Sequence, residues 1–501
     1  MDQYSLWVGG KYTPGNGEPS HSASQSDVDT TVQVAHETFK SGVWSKAPRQ
    51  TRAGVLDKAA ALLSYNLPRL IAIEVKQTGR AIREMEAQVP SLVRWFRYYA
   101  SVLRTEERSV LPTRGKLHNW LERVPLGVVV QITPFNHPLL IAVKKLAPAL
   151  AAGNSVILKP SELTPITSLL LGPLLKEAGL PDGVFNVLCG LGPVTGKALV
   201  GHSLVRKVDV TGGTAAGRAI GSITGGNLAR FTAELGGKAP LIVFDKASVD
   251  AAVNGIAFGS FVASGQTCVS ATRIIIHNSL MAEVESKLKT KAASIRERMG
   301  SPTHPSSSMG PLVSARQLQN VERLVSGSLA SGAKAVCGGR RMTGQSQLDG
   351  TTFDNGYYYP PTILSSTAES SIISTSIWRE EAFGPVIVLV GFDKEEDALR
   401  LANDSEYGLG AAIWTTDLSQ AFRVSEQVEA GIVWVNTHHR NDPSSPWGGA
   451  ATSSGVGSEN GQDAYHAYTT TKSIIINYAP PEESLATDDW FRTGNGQVRY
   501  G

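Results

Sequence analysis

Cysteine is scarce in this chain. Cys189, Cys268 and Cys337 are the only three in 501 residues. They cannot build the disulfide framework of a small secreted scaffold, so a reducing, cytoplasmic setting is expected. Long apolar runs are lacking too, and no stretch approaches the roughly 20 residues of a membrane span. The segment Met1–Lys11 has no basic start followed by an apolar run, the mark of a secretory signal. Charge of one sign is also missing: 47 basic against 44 acidic residues leave +3. That is too little to point to nucleic acid or a membrane surface as partner. Repeats and long Gly/Ser- or Pro-rich linkers are absent. What remains, with 42% hydrophobic and 18% charged residues, is an ordinary globular composition. The length calls for two or three domains.

From Pro125 to Ile276 short apolar runs alternate with helical stretches. The segments 126–132, 155–159, 184–188 and 207–210 read as strands; 138–152, 166–178 and 214–223 read as helices. A second alternation includes strands at 241–244, 273–276 and 431–435 and a helix at 249–264. The rhythm predicts an α/β fold of two doubly wound parallel-sheet domains, one Rossmann-like, meeting between Glu234 and Cys268. The run Lys472–Asn477 reads as a last strand. Beyond Pro480 lies a tail with Glu482, Glu483, Asp488 and Asp489 followed by Trp490-Phe491, either a surface arm or a packing segment for a neighbouring subunit.

Cys268 stands apart from the other two cysteines. It lies among small and polar residues, Ser264-Gly265-Gln266-Thr267-Cys268-Val269-Ser270, whereas Cys189 follows an apolar strand and Cys337 precedes Gly338-Gly339. A thiol in such company can reach a substrate, and Glu234, in Glu234-Leu235-Gly236-Gly237-Lys238, can serve as its base. Burial among apolar neighbours would raise the Glu234 pKa toward neutrality. Val210-Thr211-Gly212-Gly213-Thr214 turns from strand into helix and offers free N–H groups to a phosphate, although it is not GxGxxG. Two acids compete for a nucleotide ribose. Glu234 lies about 20 residues beyond that turn. Lys159-Pro160-Ser161-Glu162 ends a parallel strand and frees Glu234 for chemistry. A carboxylate at Glu162 would also repel a 2′-phosphate. Thr133-Pro134-Phe135-Asn136-His137-Pro138 is either a simple helix start or a turn that aims the Asn136 amide at an oxyanion. Glu381 and Phe383, before Gly384-Pro385, are either loop residues or a second ribose clamp with its aromatic lid.

Together these segments resemble the aldehyde dehydrogenase superfamily from about Trp7 to Asn477. The Glu234–Lys238 and Gly265–Cys268 segments match its two signature motifs in order and separation. The resemblance implies Cys268 as nucleophile, Glu234 as base, Asn136 as oxyanion donor and Lys145 as a further retained lysine. It implies NAD, rather than NADP, held by Thr133, Pro134, Phe135, Lys159, Ser161, Glu162, Gly192, Gly213, Thr214, Leu235, Gly236, Glu381 and Phe383. No metal is implied. The implied reaction oxidises a small-molecule aldehyde through a cysteine thiohemiacetal and a thioester that water hydrolyses. The expected organisation is a cofactor domain in 1–105 and 126–236, a catalytic domain in 237–438, and an oligomerisation element in 106–125 and 466–478. A tail in 479–501 completes it, and a homodimer or homotetramer results. Gly213 stands where relatives often carry serine, and Ala450-Ala451 replaces a basic residue after Gly448-Gly449.

The mouth departs from relatives that oxidise simple aldehydes. Lys144 follows Asn136 on the same helix, and Thr437-His438-His439-Arg440-Asn441-Asp442 is a polar loop. One expectation is a carboxylate-bearing or polyhydroxylated substrate anchored by Lys144 or Arg440, with His438 nearby. Another is that these side chains face solvent. Trp447 keeps an aromatic wall, so an aryl aldehyde stays open, as does a catalytically idle relative serving as a scaffold. A cofactor-free thioester or ester hydrolase using the same cysteine is a third alternative.

Overall fold

The runs Val128-Val129-Val130 and Ile274-Ile275-Ile276 are apolar on both faces, and both become central parallel strands with no exposed side. They organise the two large sheets of the computed structural model, which describes residues 6–16, 22–366 and 371–494. The first sheet has eight strands, in the order Gly455–Val456, Arg230–Glu234, Val205–Thr211, Val128–Ile132, Ser155–Lys159, Phe185–Val187, Leu6–Val8 and Lys11–Thr13. Its five central strands are mutually parallel and wind both ways from Val128–Ile132. In such a sheet the ligand crevice opens where winding reverses, beyond the C-terminal ends of Val128–Ile132 and Val205–Thr211. The turns that follow them, at Thr133 and Gly212, flank that crevice.

The second sheet has seven strands, in the order Lys334–Cys337, Thr362–Ser365, Val386–Phe392, Ala271–His277, Ala239–Val243, Gly410–Trp414 and Ile432–Val435. All neighbours are parallel except the first pair. A third, antiparallel sheet pairs Val110–Leu111 with Leu117–Pro125 and the latter with Thr469–Asn477. Its outer strand exposes Ile475 and Ile476. One crossing ties the ends of the chain together: Gly455–Val456 pairs antiparallel with the edge strand Arg230–Glu234, in register with Glu234 itself.

The helix Pro138–Ala152 is buried along nearly its whole length between the first sheet and the helical layer. Proline at its start is compatible with the unpaired first turn, and Gly153 ends it in the left-handed conformation. The helix read at 249–264 ends earlier, at Phe261. Ala263, Ser264 and Gly265 turn left-handed there, with φ of 54°, 55° and 70°. The helical pattern of small residues hid this break, which a glutamate from another segment stabilises. Both carboxylate oxygens of Glu84 accept from the Ala263 N–H at 3.2 Å. Beyond Pro480 the tail forms a helix, Pro481–Asp488, and the following Trp490 and Phe491 are exposed. No described helix is long and apolar enough to cross a membrane.

Candidate active site

Cys268, in the turn before the second sheet's strand Ala271–His277, meets Glu234, the last residue of a strand in the first sheet. The Cys268 thiol donates to Glu234 Oε1 at 2.9 Å. The left-handed turn at Ala263–Gly265 delivers the cysteine, and the end of the strand Arg230–Glu234 delivers the glutamate. Two glycines make the approach possible. A Cβ on Gly237 would lie 2.0 Å from the Cys268 carbonyl oxygen, and one on Gly265 would lie 2.2 Å from the Gly384 oxygen. The glycine-rich signature segments are thus a matter of backbone contact as well as of flexibility.

Glu234 is 3% exposed. Trp447 Nε1 donates to its Oε1 at 3.2 Å, and the Thr211 hydroxyl lies 3.3 Å from Oε2. Burial, reinforced by the nearby Glu459 carboxylate, pushes the Glu234 pKa up. Burial and the Glu234 charge push the Cys268 thiol well up as well. The thiol is thus hydrogen-bonded to the carboxyl group, and both hold a proton more tightly than they would in water.

Behind Glu234 lies a charged network that the sequence reading did not assemble. Thr211 Oγ1 lies 3.2 Å from Glu459 Oε1, so the hydroxyl sits between the two glutamates. Glu459 Oε2 pairs with Lys144 Nζ at 2.6 Å, and Glu459 Oε1 pairs with Lys145. Lys145 also pairs with Asp209, whose other oxygen accepts from the Tyr468 hydroxyl at 2.5 Å. Two adjacent lysines are the only charges in the otherwise apolar helix Pro138–Ala152, a pattern that demands buried carboxylate partners. The demand is legible in the sequence; the identity of Glu459, in Ser458-Glu459-Asn460, is not.

The flanking lysines pull the Glu459 pKa down to about 2 from an ordinary 4.5, against the effect of burial. A depressed carboxylate stabilises the fold in full above its unfolded value, and that contribution is lost as pH falls from about 4.5 toward about 2. Replacing Glu459 by glutamine leaves Lys144 without its anion, and removing one partner of a buried pair costs about 3–5 kcal/mol. Denaturant unfolding at pH 7 should show this loss, and the difference from wild type should shrink as pH drops below about 4.5. A variant as stable as wild type at pH 7 would show that the network contributes nothing.

The pair opens onto a cavity of about 1060 Å³. Its walls include Trp95, Phe258, Phe261, Trp434 and Trp447, with Arg80, Arg83, Arg94, Lys144 and Arg440 among the cations. Trp434 and Trp447 lie 5.9 Å apart, and Lys144 Nζ stands 4.5 Å from the centre of the Trp447 ring. Arg80 is tied to Glu84 and Arg94 to Asp442. Arg83 and Arg440 have no carboxylate partner among the described residues, and Arg440 Nε donates to Thr437 Oγ1 at 3.2 Å. Of the four residues expected at the substrate, Trp447, Lys144 and Arg440 line the cavity. Lys144 is not a free anchor, because Glu459 holds its ammonium. His438 sits behind the wall, its Nδ1 2.7 Å from that of His439, and it is His439 that lines the cavity. Burial holds both imidazoles neutral. Asn136 is buried, and its Nδ2 donates at 2.8 Å to the carbonyl of Gln266, two residues before Cys268; its Oδ1 has no hydrogen-bond partner among the described residues.

The residues expected around a dinucleotide fall into connected clusters. Gly213 caps the helix Thr214–Gly226, and open space surrounds its α-carbon where a side chain would stand. Thr214 has spent its hydroxyl on the Ser453 carbonyl at 2.8 Å. Lys159 is buried, and its Nζ donates to the Pro160 carbonyl at 2.9 Å. Glu162 and Gly192 are exposed, and the Ser161 hydroxyl accepts from the Leu163 N–H at 3.3 Å. Thr133 is buried with an unpartnered hydroxyl, and Pro134 follows it. Phe135 meets Phe383 edge to face at 5.7 Å, with Phe383 in the left-handed region at φ 50°. Leu235 closes on Gly217, and Glu381 accepts from the Gly237 N–H at 3.0 Å. Burial lifts the Glu381 pKa to about 7. Tyr407, which the sequence did not single out, approaches the same spot beside Gly236. An open helix N-terminus, a buried lysine, an unpartnered buried hydroxyl and two acids suit a nucleotide's phosphates and sugars.

The sequence profile described as the aldehyde dehydrogenase family matches residues 13–474. The chain belongs to that family. Among solved structures, a Burkholderia cenocepacia protein provisionally named an aldehyde dehydrogenase is 36% identical, with a TM-score of 0.90 over 96% of this chain and 99% of that one. PnpE from Pseudomonas sp. WBC-3 is 34% identical, with a TM-score of 0.89 over 96% of this chain and 100% of that one. Betaine aldehyde dehydrogenase from Staphylococcus aureus, in complex with NAD+, is 30% identical, with a TM-score of 0.91 over 98% of this chain and 97% of that one. As an aldehyde dehydrogenase, the chain is an oxidoreductase acting on aldehydes, and two mostly parallel sheets with a small antiparallel one are the family's architecture.

Proposed function

We propose that the protein oxidises an aldehyde to the carboxylic acid with NAD, using Cys268 as nucleophile and Glu234 as base. The observation that carries this reading is the 2.9 Å contact between the two, opening on a large cavity. Cys268 releases its proton to solvent in the cavity, and its sulfur bonds to the aldehyde carbon as the carbonyl π pair moves onto oxygen. The second N–H of Asn136 and the backbone N–H of Cys268 steady the resulting oxyanion. NAD, when bound, accepts a hydride from that carbon, which leaves a thioester on Cys268. Glu234 then takes a proton from water, whose oxygen attacks the thioester. The C–S bond breaks, the acid departs, and the cysteine takes back a proton from Glu234. Lys159, Glu162, Gly213 and Glu381 would hold the dinucleotide. The Glu162 carboxylate favours a free 2′-hydroxyl over a 2′-phosphate, hence NAD over NADP.

For the substrate, aromatic walls combined with two guanidinium groups lacking carboxylate partners favour an unsaturated or aryl aldehyde that also bears a carboxylate. Arg440 is its anchor in this reading. An aldehyde panel followed by NADH absorbance tests both parts. Turnover should be highest for carboxylated conjugated aldehydes, and higher with NAD than NADP. Arg440→Ala should lower kcat/KM for the charged aldehyde about 10-fold or more while sparing its neutral analogue. An equal loss for both would remove Arg440 as anchor, and no NADH with any aldehyde would leave a binding or scaffold role.

Among the described residues the strand Thr469–Asn477 pairs with another strand on one side only, and it exposes isoleucines, which suits pairing with a second copy in a homodimer or homotetramer.

A further inference from the structure

Lys144 has a place that neither a surface charge nor a substrate anchor explains. It is 3% exposed, and it reaches the catalytic pair by two routes. Its ammonium lies 4.5 Å from the centre of the Trp447 ring, and the Trp447 indole donates to the same Glu234 oxygen that receives the Cys268 thiol. The ammonium also bonds Glu459 Oε2 at 2.6 Å, while the Thr211 hydroxyl stands between the other oxygen of Glu459 and Glu234.

The charges facing this spot can be set against one another. From the helix Pro138–Ala152 come Lys144 and Lys145; from the strand Val205–Thr211 comes Asp209; from the C-terminal segment comes Glu459. These four ion-paired groups are two cations and two anions, a neutral set; Lys207, on the same strand as Asp209, donates to Thr232 Oγ1 at 2.5 Å, and burial lowers its pKa to about 8. Glu234 and Cys268 share the remaining negative charge, with Glu381 a further acid acting on the thiol. Arg80 lies beyond neutral His137, within 2.5 Å of its Nδ1. Without Lys144, Lys145 alone would face both Asp209 and Glu459, and the uncompensated negative charge would act on Glu234 across a single hydroxyl in a low-dielectric interior, where like charges drive protonation.

We infer that Lys144 is a positioning residue of the catalytic pair: its ammonium neutralises Glu459 so that the negative charge of the Cys268 thiolate can exist beside Glu234. The charge of Lys144 lowers the proton affinity of both Glu234 and Cys268, in keeping with the geometry. Lys145 pairs with Glu459 too but shares its charge with Asp209, so without Lys144 the remaining cation and two carboxylates carry a net −1 beside Glu234. This inference rests on the reading of Cys268 as nucleophile and gives the neighbouring cation a task in that chemistry.

The test uses the full-length protein without added dinucleotide and reads the rate of iodoacetamide alkylation at Cys268 against pH, by mass spectrometry of the Cys268 peptide. The thiolate displaces iodide, so the rate follows its population. Lys144→Gln, which can still hydrogen-bond to Glu459, should move the profile about 1 pH unit upward and slow alkylation at pH 7.5 about 10-fold. Lys144→Arg should follow wild type. Glu459→Gln should move the profile the other way, to lower pH, and the double variant Lys144→Gln/Glu459→Gln should return close to wild type. A role in packing alone would not give shifts of opposite sign that cancel. Should the single lysine variant fail to fold, the double variant against Glu459→Gln carries the same comparison with and without the ammonium. Coincident profiles for Lys144→Gln and wild type, or for the double variant and Glu459→Gln, overturn the inference. So does a Lys144→Gln effect confined to KM for carboxylated aldehydes. If Cys268→Ala still oxidises aldehydes, the functional reading fails whatever the profiles show.

Discussion

Replacing Cys268 by alanine should abolish NADH production from every aldehyde, a loss of at least about 10⁴-fold, in the range seen when a covalent nucleophile is removed. The fold should survive. The thiol is half-buried, opens on the cavity and contributes one hydrogen bond, so thermal unfolding should change little. Its absence also removes the group whose proton Glu234 shares. The two remaining cysteines offer no substitute: burial raises the pKa of Cys189 to about 12 and raises that of Cys337 as well. In the wild-type protein the same physics gives kcat/KM a direction. Because burial and the Glu234 charge raise the thiol's pKa, kcat/KM should climb with pH through the neutral range. A profile that falls over that range would place the nucleophile elsewhere.

Glu234→Gln should separate the two halves of the reaction. The amide keeps the shape and accepts the Trp447 hydrogen bond but cannot take a proton from water. Rapid mixing with aldehyde and NAD should therefore give a burst of about one NADH per site, followed by turnover slowed about 10²–10⁴-fold. The acylated Cys268 should be visible by intact-protein mass spectrometry. A second consequence has the opposite sign. The Glu234 charge holds the thiol's pKa up, so its removal should make Cys268 ionise at lower pH and react faster with alkylating agents near neutrality. Loss of the burst along with steady turnover would assign Glu234 to thiol activation instead of hydrolysis.

Much of the frame was legible because parallel strands buried on both faces announce themselves as aliphatic runs, as at Val128–Ile132 and Ala271–His277. The helix Pro138–Ala152 was legible from its terminal proline and glycine as well as its periodicity. The left-handed turn at Ala263–Gly265 was not: two of its three residues are ordinary in helices, and what holds it is the Glu84 carboxylate, 179 residues away. The pairing of Cys268 with Glu234 could be expected from the signature segments, since both residue types carry their own chemistry. The role of Lys144 was misweighted for the converse reason. Its meaning depends on Glu459 and Trp447, more than 300 residues further on, and no local pattern connects them. Likewise His439, rather than His438, faces the cavity because His439 takes a left-handed backbone conformation, with φ of 54°.

The pairing of Gly455–Val456 with Arg230–Glu234 bears on how the protein is born. Glu234 emerges from the ribosome with its strand at the open edge of a sheet, while Trp447, Gly455 and Glu459 are still more than about 200 residues from synthesis. At about 5–20 residues per second this interval lasts on the order of 10–45 s. Throughout it the strand edge is bare and the lysines of the helix Pro138–Ala152 lack the Glu459 carboxylate. A nascent chain thus carries an open strand edge until its final segment folds back. Translation arrest or premature termination before Glu459 would leave that edge open and Lys144 without its carboxylate.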